Sequence, residues 1–293
     1  MMNVVRNKNA GDTNGRKKST MKRTVMVVIS TCAVSLAAIS AQAESFDDPS
    51  VANYWYSYQQ GYGPGGTGVY INPTLSGGYA STALPVNGAP VGTDVSTRQN
   101  WIFVYNDGSP EVSSLYNGSL IGDLSSRTAV TATFRLTLST PAGSTLDPSQ
   151  MWYSTPGSLP TVRFLFEGND PFVGGVPDPN LHWWSNPGAV GLTAMANGTD
   201  YTLTVDLNPA LWSNDYGVNG ATDGGVAFGQ TLATVYDFGL SFGGGSGFQN
   251  GFALMPGANG SFDLSELSTV PEPTSLVLVS FALGGLVLIR KRK

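Results

Sequence analysis

The chain has 293 residues, enough for one large domain or two small ones together with targeting segments. Residues 44–270 contain 18 acidic residues, four arginines and no lysine, so this stretch has a net charge of −14, which excludes nucleic-acid binding. The missing lysine excludes Walker and Schiff-base chemistry there, and the single Cys32 and single His182 exclude disulfide frameworks and the common zinc ligand sets.

The amino terminus has the pattern of an export signal. Two basic residues, Lys22 and Arg23, precede an apolar run over residues 25–39, and Ala41 and Ala43 form the small-x-small pattern that signal peptidase cleaves. We expect cleavage after Ala43, which makes residues 1–43 the signal peptide. Residues 1–20 are either an over-long start or a long polar leader. A permanent membrane helix fits less well, because the run is short and ends in a cleavage pattern.

The region 44–266 is predicted to be a single all-β domain, a jelly-roll-like β-sandwich. Short runs of period-two alternation are separated by Gly, Pro, Asn, Asp and Ser, which is typical of a sandwich or barrel. Alternation is clearest over residues 129–139 and 201–207, where apolar side chains face one side and threonines mainly the other. Further strands are predicted at 101–105, 162–166, 235–242 and 261–264.

A short motif inside one of these strands matches a hydrolase pattern. Gly239, Ser241 and Gly243 have the spacing of a nucleophile elbow, in which the catalytic histidine follows the serine in the chain. Here His182 precedes Ser241, and apolar residues alternate through the motif as in an ordinary strand. The sequence therefore favours a strand over a hydrolase site.

Aromatic residues provide the clearest indication of binding. Extended backbone would place Tyr54, Tyr56 and Tyr58 on one face of a strand, and the neighbours Trp183 and Trp184 must point in opposite directions. Flat apolar rings with a polar edge suit stacking on sugars, so these five residues are candidate glycan contacts. The alternative is that the rings simply fill the core of the sandwich.

Acidic residues near both ends of the domain suggest a calcium site. The segments 46–48 and 261–264 resemble the terminal strands of carbohydrate-binding β-sandwiches, in which the first and last strands often lie side by side. The resemblance implies that Asp47, Asp48 and Asp263 share a structural Ca²⁺, an ion that prefers such hard oxygen ligands. The alternative is that these acids are solvated turn residues that keep the surface soluble.

The carboxyl terminus, residues 267–293, has three parts in a specific order. Pro271, Glu272 and Pro273 form a stiff extended segment, and an uncharged apolar stretch follows at 274–289. As a helix this stretch would span about 24 Å, slightly less than the hydrocarbon core of a membrane, and basic side chains can extend its reach. The last four residues, which keep the tail in the cytoplasm, are Arg290, Lys291, Arg292 and Lys293.

This order resembles the PEP-CTERM sorting signal of Gram-negative bacteria. The resemblance implies that Pro271, Glu272 and Pro273 are recognised by an exosortase, a membrane-embedded cysteine enzyme that processes such tails. It also implies a producer that makes exopolysaccharide and grows in flocs or biofilms. A plain carboxyl-terminal anchor would explain the helix and the charges but not the Pro-Glu-Pro.

Two functional classes fit these patterns. The favoured one is a non-catalytic surface or matrix protein, anchored in the inner membrane with its β-domain on the periplasmic side and then displayed or secreted, which associates with exopolysaccharide. The alternative is an envelope enzyme that cleaves or modifies glycans with a carboxylate pair. Buried carboxylates in a cleft would indicate the enzyme, whereas an exposed aromatic strip would indicate binding.

Overall fold

The structure of the chain is a computed structural model that describes most of the β-domain. Neither the predicted signal peptide nor the tail after Glu272 lies within the described part. The described residues are 44, 46–60, 68–86, 98–105, 110–116, 118–139, 143, 146–152, 160–168, 172–173, 176–177, 181–186, 190–243 and 251–272.

Strands form most of this region, with two seven-residue α-helices and four short 3-10 helices among them. The strands are β1 Trp55–Gln60, β2 Gly68–Ile71, β3 Thr74–Ser76, β4 Tyr79–Ala83, β5 Arg98–Tyr105, β6 Arg127–Leu138, β7 Met151–Trp152, β8 Thr161–Gly168, β9 Phe172–Val173, β10 Val176–Pro177, β11 His182–Ser185, β12 Val190–Gly191, β13 Tyr201–Asp206, β14 Trp212–Asn214, β15 Val235–Gly243, β16 Ala253–Leu254 and β17 Gly260–Pro271. The α-helices are α1 Pro110–Tyr116 and α2 Val226–Leu232, and the 3-10 helices are Pro49–Tyr54, Pro148–Gln150, Leu192–Ala194 and Pro209–Leu211.

Two antiparallel sheets form the sandwich. The larger sheet has the strand order β14-β11-β8-β15-β5-β1-β2, with β12 also paired to β8, and the smaller sheet has the order β13-β6-β17-β4-β3. The pairs β9-β10 and β7-β16 form two further small ladders. Most neighbours in the two main sheets are distant in sequence, so the register between strands decides which side chains meet.

The core lies between the two main sheets and follows from the alternation of each strand. In β6, residues 130, 132, 134, 136 and 138 are buried while the intervening residues are only partly so. Phe242 of the larger sheet meets Phe262 of the smaller sheet edge to face, with ring centroids 4.7 Å apart. Four of the largest fully buried side chains are tryptophans: Trp55, Trp183, Trp184 and Trp212.

The predicted all-β sandwich is confirmed. Each predicted strand is present in the structure, and the segment with the nucleophile-elbow spacing lies inside β15 as an ordinary buried strand. The last strand is longer than predicted, because β17 continues past residue 266 and pairs Pro271 with Arg127. Residues 267–271 of the predicted tail are therefore part of the smaller sheet.

Candidate functional site

The outer face of the larger sheet, turned away from the smaller sheet, is where the structure gathers polar and aromatic side chains. Residues directly opposite each other on paired strands project to the same face. The register links Tyr70, Tyr58, Trp101, Ser241 and Arg163 in one row across five strands. The next row contains Tyr56, Phe103, Gly239, Leu165 and Trp184.

An aromatic strip occupies one end of this face. We define the aromatic strip as Tyr56, Tyr58, Tyr70, Trp101 and Phe103. Tyr58 stacks on Trp101 at a centroid distance of 4.7 Å and leans on Tyr70 at 4.8 Å, and Tyr56 meets Tyr70 edge to face at 6.0 Å. The rings are thus in mutual contact across β2, β1 and β5.

The orientation of the rings decides which of them a ligand can reach. Tyr58 lies against Trp101 with an interplanar angle of 18°, so these two rings cover each other's faces. The Tyr58 ring also lies over Gly68, where an added Cβ would meet its hydroxyl at 2.0 Å. Tyr70 is 62% exposed at the sheet edge, whereas Phe103 is buried. Tyr70 is therefore the most accessible ring of the strip.

A buried cluster of titratable groups occupies the other end of the outer face. Glu167 of β8 lies directly between Asp237 of β15 and His182 of β11 in the register. His182 Nδ1 is 3.8 Å from Glu167 Oε1 and 3.8 Å from Asp215 Oδ2. Glu167 is 7% exposed and Asp237 is 8% exposed, so both carboxyls are largely removed from water.

The two buried carboxyls are joined by a side-chain hydrogen bond. Burial, the charge of Glu167 and this hydrogen bond raise the pKa of Asp237 well above its ordinary range. Burial also raises the pKa of Glu167, partly offset by His182, while the charge of Asp215 adds to the rise. Burial and mutual repulsion therefore favour retention of a proton by this pair of carboxyls, and Glu167 faces His182.

The aromatic candidates from the sequence divide between surface and core. Tyr56 and Tyr58 belong to the strip, and Trp55 is buried on the opposite side of β1 as alternation requires. Tyr54 lies in a 3-10 helix instead, packs against the core, and donates its hydroxyl to Glu111 at 2.8 Å. Tyr54 is therefore not part of the strip.

Trp183 and Trp184 point in opposite directions, as alternation predicts, and both are buried. Trp183 points into the core and its indole N–H donates to Thr231 Oγ1 at 3.0 Å. Trp184 points to the outer face, 6.0 Å from the His182 ring, yet it is fully buried. Alternation predicts the direction of each ring but not what covers it. At this position both the inner and the outer face of the larger sheet are covered, so both tryptophans are buried.

The three aspartates of the predicted calcium site have other contacts. Asp263 is buried and accepts hydrogen bonds from Arg135 Nε at 2.9 Å and Ser81 Oγ at 2.5 Å. Asp48 accepts from the backbone N–H of Ser50 at the start of a 3-10 helix, and Asp47 is exposed in a turn.

The start of the domain lies beside the last strand, because the N–H of Glu44 donates to the carbonyl of Leu267. Within the described part of the chain, no group of three or more His, Cys, Asp or Glu side chains could hold a metal ion. The calcium site stays a prediction, and Arg135 already balances the charge of Asp263.

Most residues of the two predicted address segments lie outside the described ranges. These include Ala41, Ala43, Pro273, the apolar stretch 274–289 and the basic residues 290–293. Pro271 ends β17, and the exposed Glu272 donates its N–H to the carbonyl of Ser126 at 3.1 Å. Among the helices of the described ranges, none is long and apolar enough to cross a membrane.

No protein-family model matches the sequence, and no curated protein matches it either. Sequence reasoning missed Tyr70 and Trp101 of the strip as well as the Glu167–Asp237 pair. Alternation around Tyr70 and Trp101 could have indicated their exposed direction, but no local signal pairs residues 167 and 237.

Proposed function

We propose that this protein is an exported, exosortase-sorted envelope or matrix protein of a Gram-negative bacterium, with a non-catalytic domain that associates with exopolysaccharide. The proposal combines the export pattern ending at Ala43, the Pro-Glu-Pro tail with its apolar stretch and basic end, and a two-sheet β-sandwich. Before processing, the apolar stretch would hold the domain on the periplasmic side of the inner membrane.

The aromatic strip is the observation that supports glycan binding. It presents tyrosine rings and hydroxyls beside each other, with Tyr70 most exposed. Such rings offer an apolar face for the C–H groups of a sugar and a polar edge for its hydroxyls. Residues 49–93, which include β1 and β2, contain no charged residue. These strands therefore add no electrostatic repulsion against an anionic polymer.

An enzyme that uses a carboxylate pair is the alternative function. Glycoside hydrolysis requires two carboxyl groups separated by about 5–9.5 Å, so that a water molecule or a sugar carbon fits between them. Glu167 and Asp237 are in hydrogen-bond contact and largely buried, which leaves no such space between them. The geometry therefore supports binding better than hydrolysis.

Affinity electrophoresis against the producer's own exopolysaccharide tests glycan binding. We expect the wild-type chain to be retarded, and Tyr70→Ala to weaken the apparent affinity by roughly threefold to tenfold, the range for loss of one aromatic contact. Tyr216→Ala is the matched control, because Tyr216 is 78% exposed but lies outside the strip. Equal retardation of all three proteins would contradict the proposal.

The alternative enzyme has a separate test. Prolonged incubation of the polymer with the protein should leave the polymer length unchanged in size-exclusion chromatography. A shortening of the polymer that Glu167→Gln abolishes, while the variant keeps its thermal midpoint, would support the enzyme instead.

Cell fractionation tests export and sorting. Deletion of residues 273–293 leaves β17 and the Glu272 backbone contact intact, so the domain can still fold. We expect this deletion to remove the membrane-bound precursor and to change the final location of the protein. Glu272→Gln changes one exposed side chain of the recognition element and should slow tail processing. Unchanged location and mature size in both variants would contradict the sorting proposal.

A further inference from the structure

The last strand carries the domain directly into the predicted recognition element of the tail. β17 ends at Pro271, which is the Cα partner of Arg127 at the start of β6. One residue further, the N–H of Glu272 donates to the carbonyl of Ser126 at 3.1 Å. Pro271 and Glu272 of the Pro-Glu-Pro element therefore lie against the folded domain.

Residues 270–272, which we call the strand end, are held less firmly than the rest of β17. Thr269, directly before them, is buried and donates its hydroxyl to a backbone carbonyl. Val270 is 37% exposed, and its carbonyl accepts a hydrogen bond from Thr128 Oγ1 at 3.2 Å. The register shifts between Val270 and Pro271, and a proline has no N–H to donate to a ladder. The firmly packed part of the strand thus ends at Thr269.

The docked strand end uses the backbone groups that a processing enzyme would need. Proteins that recognise an extended peptide as a strand pair with its backbone N–H and C=O groups. Here the carbonyl of Val270 and the N–H of Glu272 already bond to Thr128 and Ser126. β6 also lies beside the strand end at the ordinary strand spacing of about 4.8 Å, which leaves no room for an enzyme on that side. Docking and enzyme binding through the same groups therefore exclude each other.

The length of chain before the apolar stretch leads to the same conclusion. With Glu272 docked, only Pro273 separates the domain from the stretch that starts at residue 274, and one extended residue spans at most about 3.6 Å. With the strand end released, residues 270–273 follow the buried Thr269 and span up to about 14 Å. The released form therefore gives a membrane-embedded enzyme room around the recognition element.

We propose that release of the strand end from β6 gates the processing of the tail. The inference rests on the proposed sorting function and adds a step to it. The docked form withholds Pro271 and Glu272 from the exosortase, and the released form presents them. The rate of processing then follows the fraction of chains in which the strand end is released. Thr128 and the Ser126 carbonyl thereby control sorting through the stability of the docked form.

A disulfide that fastens the strand end tests this gate. Val270 and Ala129 are Cα partners, and partners in an antiparallel pair lie about 4.5–5.5 Å apart, within the range that a disulfide bridges. In a Cys32→Ser background, Val270→Cys with Ala129→Cys should form this cross-link and leave Pro-Glu-Pro unchanged. The full chain in detergent is incubated with washed membranes of the producer, and loss of the tail is followed by mass spectrometry. We expect the oxidised chain to be processed at least about tenfold more slowly than the same chain after reduction.

A cross-link at the other end of the same two strands is the matched control. Ser261 and Thr137 are also Cα partners on β17 and β6, and both are half-buried. Ser261→Cys with Thr137→Cys leaves the strand end free, so its oxidised and reduced forms should be processed at equal rates. This control also accounts for any effect of the reductant on the enzyme.

Thr128→Val tests the opposite direction. It removes the hydroxyl that donates to Val270 while keeping a β-branched side chain, and it should speed processing by about twofold to tenfold, the range for loss of one hydrogen bond. Thr131→Val is the matched control, because the Thr131 hydroxyl pairs with that of Thr204 at 3.0 Å rather than with the strand end. The thermal midpoint of each variant verifies that it folds.

The outcomes separate this inference from the sorting proposal. No processing of the wild-type chain would contradict the sorting proposal, and the gate would fall with it. Processing of the wild type, together with equal rates for the oxidised and reduced cross-linked strand end, would overturn the gate alone. Equal acceleration by Thr128→Val and Thr131→Val would overturn it as well.

Discussion

Replacement of Asp237 by asparagine tests the account of the buried carboxyl pair. Asp237 and Glu167 lie directly opposite each other on β15 and β8, share a side-chain hydrogen bond, and are largely buried. Two ionised groups about 4 Å apart repel by about 4 kcal/mol at an effective dielectric constant of 20. The folded protein therefore retains a proton on Asp237 at pH values where the unfolded chain, with an aspartate pKa of 3.8, has lost it.

The sign of the pH dependence follows from this difference. A carboxyl group whose pKa is raised on folding binds more protons in the folded state, so the free energy of unfolding falls as the pH rises above the pKa of the unfolded chain. One retained proton corresponds to a slope of about −1.4 kcal/mol per pH unit. Asp237→Asn keeps a hydrogen-bond donor for Glu167 but removes the titrating group, so this slope should be lost and the variant should be more stable at pH 7.

Urea unfolding followed by tryptophan fluorescence at pH 5, 6 and 7 measures how the free energy of unfolding depends on pH. Between pH 5 and pH 7, the free energy of unfolding of Asp237→Asn should rise relative to that of the wild type. Asp47→Asn makes the same chemical change in an exposed turn and serves as the control. Parallel stability curves for the wild type and Asp237→Asn would refute the shared-proton account.

Substitutions at three further positions probe packing, an ion pair and a buried hydrogen bond of the domain. Gly239→Ala should destabilise the domain by about 3 kcal/mol in the same unfolding assay, because its Cβ would meet a carbonyl oxygen of β5 at 2.2 Å. Arg135→Leu should lower the free energy of unfolding by about 2 kcal/mol, because the buried Asp263 loses the ionic contact between its Oδ2 and Arg135 Nε at 2.9 Å. Arg135→Lys keeps a positive charge there and should lower the free energy of unfolding by less. Trp183→Phe should lower the free energy of unfolding by about 1–2 kcal/mol, because Thr231 loses a buried hydrogen bond of 3.0 Å.

Local alternation predicted the strands because it needs no knowledge of partners. β6 alternates as its sequence indicates, and β13 buries Leu203 and Val205 but leaves Tyr201 at its start exposed. β15 is a strand despite its hydrolase-like spacing. The same alternation buries Trp55 on the side of β1 opposite Tyr56 and Tyr58. Tyr54 departs from the pattern because Pro49 begins a 3-10 helix that ends at Tyr54, so the extended backbone starts one residue later.

Register between distant strands decided most of the candidate site. Glu167 and Asp237 are 70 positions apart and meet only because β8 and β15 pair in one particular register. Asp263 lies opposite Arg135 and Ser81 for the same kind of reason, so its carboxylate is engaged within the sheet. A single sequence carries period-two information within a strand but no direct information about register between strands.

The sequence by itself determined the β character of the domain, its cysteine-free and lysine-free acidic composition, and the positions of the segments that resemble an export signal and a sorting tail. These are properties of contiguous residues. The tertiary structure alone decided that Trp184 is covered, that Tyr70 is exposed beside Tyr58, and that the uncharged β2 lies at a sheet edge. Those outcomes depend on which strands pair and where each sheet ends, because burial is set by neighbours that are distant in the chain.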